Sequence, residues 1–348
     1  MVVSTDGAIN LRDIAATMRN NREEAPSSMI IDLALERNDI AQDLLVKQAN
    51  NGDTDDVFLR TALPKAVFTA IYEGVSSSKS SYAHVRNTAG SLESKMEFAK
   101  KALEKAVNKN AFLKREAAGH VDAMVQEMVQ MLIYGNLRND PRGFNGLMKH
   151  YSKHSSNDED DTAFTTVTAG GTADKTLQSI LLVGWGDDAT HCFYPEGSAS
   201  AGVRVGEMKA VELTNPDAET KTYEGYVQHF YWDLGLNVMD WRKNGRLCNI
   251  DATAHQASDT ATLKASAEKF FRNIDVLTGR VDETGVRQVL YMSKMIWEQA
   301  RVFSSILTRA NAVTEKNLDG HKVRELNGIQ VRINRAMNID EELVPAVS

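Results

Sequence analysis

The sequence predicts an α+β fold, and three observations carry that prediction. Leu113, Ala117, Val121, Met124, Met128 and Leu132 recur every three or four residues with polar side chains between them, which is the apolar stripe of a long amphipathic helix. Residues 177–251 are rich in aromatic and β-branched side chains in short runs, as in a sheet. After Asp251 the pattern changes to helix, strand, helix, strand. At 348 residues, 42% hydrophobic and 25% charged, the chain is long enough to bury a sizeable core.

Taken in order, residues 1–56 read as an arm. Their one apolar stretch, Met29-Ile30-Ile31-Asp32-Leu33-Ala34-Leu35, is too lean to make a core, and Asn50-Asn51-Gly52-Asp53 closes the region as a turn. Residues 57–107 are expected to form an extended hairpin loop: Leu59, Leu63, Val67 and Ile71 are outnumbered by polar neighbours around Gly74 and the run Ser76-Ser77-Ser78-Lys79-Ser80-Ser81. A flexible loop is the plainer alternative, although loops of that length usually have a job.

The helix should run from about residue 108 to 135, roughly 40 Å at ~1.5 Å per residue, with Gly135-Asn136 as its stop. Strands are expected at Ile180–Val183, His191–Tyr194, Met208–Leu213, Tyr226–Leu234, Leu236–Trp241 and Leu247–Ile250, forming an antiparallel sheet with one buried face. Two helices follow, one marked by Leu263, Ala267, Phe270 or Phe271, Ile274 and Leu277 and the other by Ile296, Ala300, Phe303 and Leu307, on either side of a strand at Val286–Met292. Asn327-Gly328, set between Val323 and the alternating Ile329, Val331 and Ile333, predicts a hairpin turn.

Chemistry is harder to find than structure. Cys192 and Cys248 are far apart, with no metal-binding spacing, and suit a reducing compartment. A basic leader followed by an apolar stretch is missing, as is any run of eighteen apolar residues, so neither secretion nor membrane spanning is expected. Gly184-Trp185-Gly186 lacks the third glycine and following helix of a nucleotide loop. His191 and Cys192, adjacent on a strand, point to opposite faces and make a poor nucleophile–base pair. His150 and His154 stand at helical spacing without an acidic third ligand, and Asp158-Glu159-Asp160-Asp161 lacks the spaced ligands of a calcium loop. No catalytic, cofactor-binding or metal residue is therefore assigned. A net charge of −7 argues against a specific reader of nucleic acid, while remaining compatible with a container whose wall does not trap DNA.

Several strings in order along the chain resemble the major capsid proteins of tailed bacteriophages with the HK97-like fold, in particular the epsilon15-type short-tailed phages. They are Leu35-Glu36-Arg37-Asn38-Asp39-Ile40, Arg60-Thr61-Ala62-Leu63-Pro64, Gly74 to Ser80, Tyr134-Gly135-Asn136, Phe144-Asn145-Gly146-Leu147, Trp185-Gly186, Tyr194-Pro195-Glu196-Gly197-Ser198, Tyr231 to Leu236 and Asp240-Trp241-Arg242. The resemblance implies an N-terminal arm (1–56), an extended loop (57–107), a peripheral domain with the spine helix and an antiparallel sheet (108–255), and an axial domain with C-terminal strands (256–348). In the fold's founding member the axial helices precede most peripheral strands; here the strand block comes first.

By the same resemblance the chain is expected to be a structural protein and not an enzyme. It would form hexamers and pentamers of an icosahedral shell around non-specifically contacted double-stranded DNA, with separate scaffolding, portal and possible decoration proteins. It would belong to the virion and assemble in the cytoplasm of the host bacterium. Lys79 near the loop tip invites comparison with crosslinked shells but has no partner in the sequence and reads as a surface lysine. Two alternatives stand beside this: an encapsulin-type compartment, and a hydrolase with a dispersed acid and histidine site.

Overall fold

A computed structural model describes residues 9–10, 39–198, 201–215, 218–307, 312–318, 321–337 and 340–347. The apolar stretch Met29–Leu35 of the expected arm lies outside them. Strand β1 (Ile9–Asn10) pairs with β2 (Leu45–Gln48). Next, β3 (Thr54–Ala62) and β4 (Ser81–Thr88) form a two-stranded antiparallel sheet separate from all other strands. The hairpin therefore occupies 54–88, not 57–107. The remainder of that expected loop is β5 (Gly90–Ala99), α1 (Lys100–Lys105) and the linker to the next helix. Along β5 it is Leu92, Met96 and Phe98 that turn inward, in strict alternation with exposed Ser91, Glu93, Lys95 and Glu97. A half-buried strand needs only every second residue to be apolar, so the segment is lean in composition without being a loop.

Helix α2 (Lys109–Tyr134) matches the predicted spine. The Asn108 side chain accepts a hydrogen bond from the Ala111 amide at 3.0 Å, closing its first turn. At the other end the Gly135 amide donates to the Met131 carbonyl at 2.8 Å. Gly135 has φ of −49°, so it does not stop the helix by a left-handed turn. Its place is set by close packing: a Cβ there would overlap the carbonyl oxygens of Met131 and Phe144.

After the short α3 (Leu147–His150) come β6 (Thr166–Thr168), β7 (Leu177–Trp185), β8 (Thr190–Tyr194), β9 (Arg204–Val205) and β10 (Lys209–Asn215). They are followed by β11 (Ala218–Val238) and β12 (Gly245–Asp251). Strand β11 is one strand of 21 residues where the sequence suggests two. Its first part pairs with β5 and β10, and from Gly235 onward it pairs with β8. Any side chain at Gly235 would overlap the ring of Phe193 directly opposite it. The glycine thus marks close cross-strand contact and not a chain break.

The C-terminal part is α4 (Thr260–Arg280), β13 (Arg287–Met292), α5 (Lys294–Ile306), β14 (Val313–Leu318), β15 (His321–Leu326) and β16 (Ile329–Ile333). Asn327 and Gly328 both have positive φ, 51° and 83°, as the predicted two-residue hairpin turn requires.

Two cores sit on opposite faces of the central strands. Leu181, Val183 and Trp185 of β7, with Val289 and Tyr291 of β13, pack toward α2. The alternate residues Ile180, Leu182, Leu290 and Met292 pack toward α4 and α5. All nine residues of β7 are buried. This differs from the expected antiparallel sheet with one buried face: β13 pairs in parallel with β16, β2 with β8, and β12 with β6. Two covering layers explain the near-continuous apolar run of β7. The antiparallel expectation describes β5, β9, β10 and β11, of which β5 and β11 lie against the spine. No break in the sheet falls at the expected 255/256 boundary, because β12 pairs with β7 and β7 with β13.

Candidate assembly surfaces

Asn50, Asn51 and the root of the β3–β4 hairpin are bound together by a dense set of short-range hydrogen bonds. The Asn50 amide side chain donates to the Asp56 carbonyl at 2.8 Å and its oxygen accepts from the Asp56 amide at 2.8 Å. Asn51 donates to the Asp56 carboxylate at 2.9 Å, and Arg86 reaches the same carboxylate across the hairpin at 2.7 Å. The Arg86 hydrogen bond and then that of Asn51 hold the Asp56 carboxyl down to about 2. A turn read from Asn50-Asn51-Gly52-Asp53 is therefore also a clamp on the first residues of the hairpin.

A second set ties the root to the sheet beneath it. The Asn237 side chain on β11 donates to buried Asp55 at 2.6 Å, and Asn87 on β4 donates to the Asn237 oxygen at 3.2 Å. His191 on β8 stands 3.9 Å from the same Asp55 carboxylate. Burial pushes the imidazole down to about 4, helped by Lys47 and opposed by Asp55, Asp187 and Asp188. At neutral pH His191 is thus an uncharged packing residue, not a base. Its neighbour Cys192 is fully buried and its thiol is pushed far up by desolvation, while burial raises Cys248 to about 11. Neither thiol is poised to react.

Beyond this fixed root the hairpin projects. Leu63, Val67, Phe68, Ile71, Tyr72 and Val75 are exposed, Phe68 and Tyr72 completely so. Exposed single apolar residues are ordinary, whereas six large ones within thirteen residues form a patch, which marks a surface awaiting a partner. Periodicity picks out only Leu59, Leu63, Val67 and Ile71 as a sparse pattern; that Phe68 and Tyr72 also lack any covering follows from the separation of this sheet from both cores.

Two buried ionic networks escaped sequence reasoning. Asp43, fully buried as a side chain, accepts from Arg332 at 3.0 and 3.1 Å, from Arg287, and from the Tyr291 hydroxyl at 3.1 Å. Arg246 on β12 pairs with Glu341 at 2.7 Å and donates to Ser179 at 3.0 Å, while Tyr134 at the end of the spine donates to the other Glu341 oxygen at 2.8 Å. These join the segment before β2 and the C-terminal tail to the sheet. Partners separated by up to 289 positions leave no local signal.

The remaining candidates stay apart. His154 makes backbone bonds to the tail at Pro345 and Val347, His150 lies in α3, and Asp158 to Asp161 lie on a turn. Among the described residues no three His, Cys, Asp or Glu side chains are grouped to hold a metal ion, and no helix is long and apolar enough to cross a membrane.

A stapled hairpin carrying uncovered apolar side chains is the kind of surface that a subunit of an assembly presents. The sequence matches the family described as Major capsid protein GP7 over residues 22–345, and the chain belongs to that family. It is a structural component of a capsid shell and not an enzyme. In fold it is similar to a chain of bacteriophage Epsilon15, with 23% identity, 88% of each chain covered and a TM-score of 0.61. A chain of the bacteriophage JBD30 capsid aligns over 84% of this chain and 88% of its own, at 11% identity and a TM-score of 0.43. The fold is of the HK97-like type. A comparison with curated proteins finds no match.

Proposed function

We propose that copies of this chain form hexamers and pentamers that close into an icosahedral shell around phage double-stranded DNA, each copy laying its β3–β4 hairpin on a neighbour. Separate scaffolding and portal proteins would guide closure in the host cytoplasm. The observation that carries this reading is the exposed apolar patch from Leu63 to Val75, held away from its own cores by the clamped root. Burying a large apolar side chain contributes about 1.5–3 kcal/mol, so a patch of this kind, repeated around a closed ring, gives firm assembly from individually modest contacts.

Electron microscopy and sedimentation velocity on purified protein, with and without its scaffolding protein, test the proposal. Closed shells or stable capsomers are the expected result. The double variant Phe68→Ser, Tyr72→Ser should keep the monomer's circular dichroism and melting temperature yet lose shells. Shells formed as readily by this variant as by the original chain would remove the hairpin from the assembly mechanism.

A further inference from the structure

We propose that α1 and the first two turns of α2 form the surface through which the shell touches its DNA, by non-specific contact between lysines and phosphates. The inference rests on the reading of the protein as a DNA container and adds the face that meets the cargo.

In a chain with 47 acidic and 40 basic residues, the stretch from Lys100 to Glu116 reverses the balance, with six basic side chains against two acidic ones. Helix α1 buries none of its residues. Lys101, Lys105 and Lys109 are exposed and take part in no ion pair among the described residues. Lys101 and Lys105 stand four apart on a helix, where like charges repel. Lys100 is the fixed member: it pairs with Glu224 on β11 at 2.8 Å, which holds α1 against the sheet and leaves the other lysines facing outward. Arg115 lies over the Phe112 ring at 6.0 Å.

The chemistry of the face selects a polyanion, and its shape selects a duplex over an acidic peptide. A protein partner takes most of its affinity from apolar anchors seated in pockets. Here Val107 is the one large apolar side chain fully exposed in the segment, and neither the cleft beside Phe144 nor the one beside Phe270 reaches these residues. A duplex asks for no pocket. It presents one phosphate charge per ~1.7 Å of axis, and at ~1.5 Å per helical residue α1 runs about 9 Å and the first two turns of α2 about 12 Å, each several phosphate spacings long. Five of the six cations are lysines, point charges suited to phosphate and not to the bidentate reading of base edges by arginine. A confined lysine face on an otherwise acidic wall would hold DNA weakly and let it slide.

The test is a salt titration of binding between the full-length protein, as capsomers whose two faces are both open to solution, and a random-sequence duplex, read by fluorescence anisotropy. Three proteins are compared: the original chain, Lys101→Gln/Lys105→Gln/Lys109→Gln, and a control with the same charge change elsewhere, Lys153→Gln/Lys175→Gln/Lys264→Gln. The original chain should bind with a salt slope that falls by about 2–3 in the first variant, at ~0.9 per lost phosphate contact, with roughly tenfold or greater weakening at low salt. The control should keep the original slope, and replacing the three patch lysines by arginine should restore it. Equal losses in both glutamine variants, an unchanged slope in the first, or lysine-dependent binding of polyglutamate without duplex binding would each overturn the proposal. Electron microscopy on the same proteins separates the two readings: shells from every variant with identical DNA slopes sink only this inference, whereas no shells from the original chain sinks the container itself.

Discussion

At Asp43 a single carboxylate, buried as a side chain, accepts from two arginines and a tyrosine that in turn accepts from Trp185 at 2.8 Å. Removing the carboxylate leaves largely buried Arg332 and the neutral Tyr291 hydroxyl without this acceptor, while half-exposed Arg287 can turn to water, so the cost is about 3 kcal/mol, the low end for a broken buried pair. Asp43→Ala should therefore lower unfolding free energy by about that amount in urea titrations; a loss under 1 kcal/mol would mean that the arginines reach solvent instead. Residue His191 supplies a pH dependence. Its folded pKa, about 4, lies below the ordinary 6.5, so the unfolded chain binds the extra proton between those values. Stability contributed by the neutral imidazole is full above pH 6.5 and is lost as pH falls toward 4, by up to about 3 kcal/mol. His191→Gln should flatten the pH–stability curve across that window relative to the original chain. Parallel curves would show that Asp55, Asp187 and Asp188 compensate the charge.

Elements respond to a different kind of change. The spine helix begins at Asn108, whose side-chain oxygen closes its first turn, and Asn108→Ala should cost about 1 kcal/mol without altering the fold, a difference that chemical denaturation resolves. The helix was plain in the sequence because its apolar stripe is a local repeat, and the same holds for α4, α5 and the Asn327-Gly328 turn. Strand β5 was not, since alternate burial of Leu92, Met96 and Phe98 becomes visible only once β11 lies beside it. The length of β11 was hidden for a related reason: Gly235 reads as a breaker until Phe193 is seen filling the space of its missing side chain. Nor could the mixed central sheet be inferred from β7, whose nine buried residues are equally consistent with any strand covered on both faces.

For the whole molecule, the apolar hairpin implies that assembly is driven by removal of hydrocarbon from water. Such association weakens on cooling and carries a negative heat-capacity change. Shell yield by light scattering should fall between about 25 °C and 4 °C, and calorimetry of assembly by the original chain should give a negative heat-capacity change. Assembly that strengthens in the cold would point to ionic contacts instead.

By itself the sequence determined the α+β class, the spine, the two C-terminal helices, the final hairpin and, through strings spread over about two hundred residues from Leu35 to Arg242, the resemblance to tailed-phage capsid proteins. These are carried by short-range periodicity, by turn chemistry and by residue order, all of which are properties of the chain before it folds. Tertiary structure alone decided that one sheet serves two cores, that Asp43 and Glu341 anchor the segment before β2 and the C-terminal tail, and that the hairpin stands clear of both cores with Phe68 and Tyr72 uncovered. Each depends on which distant residues become neighbours, and burial and pairing exist only between neighbours in space.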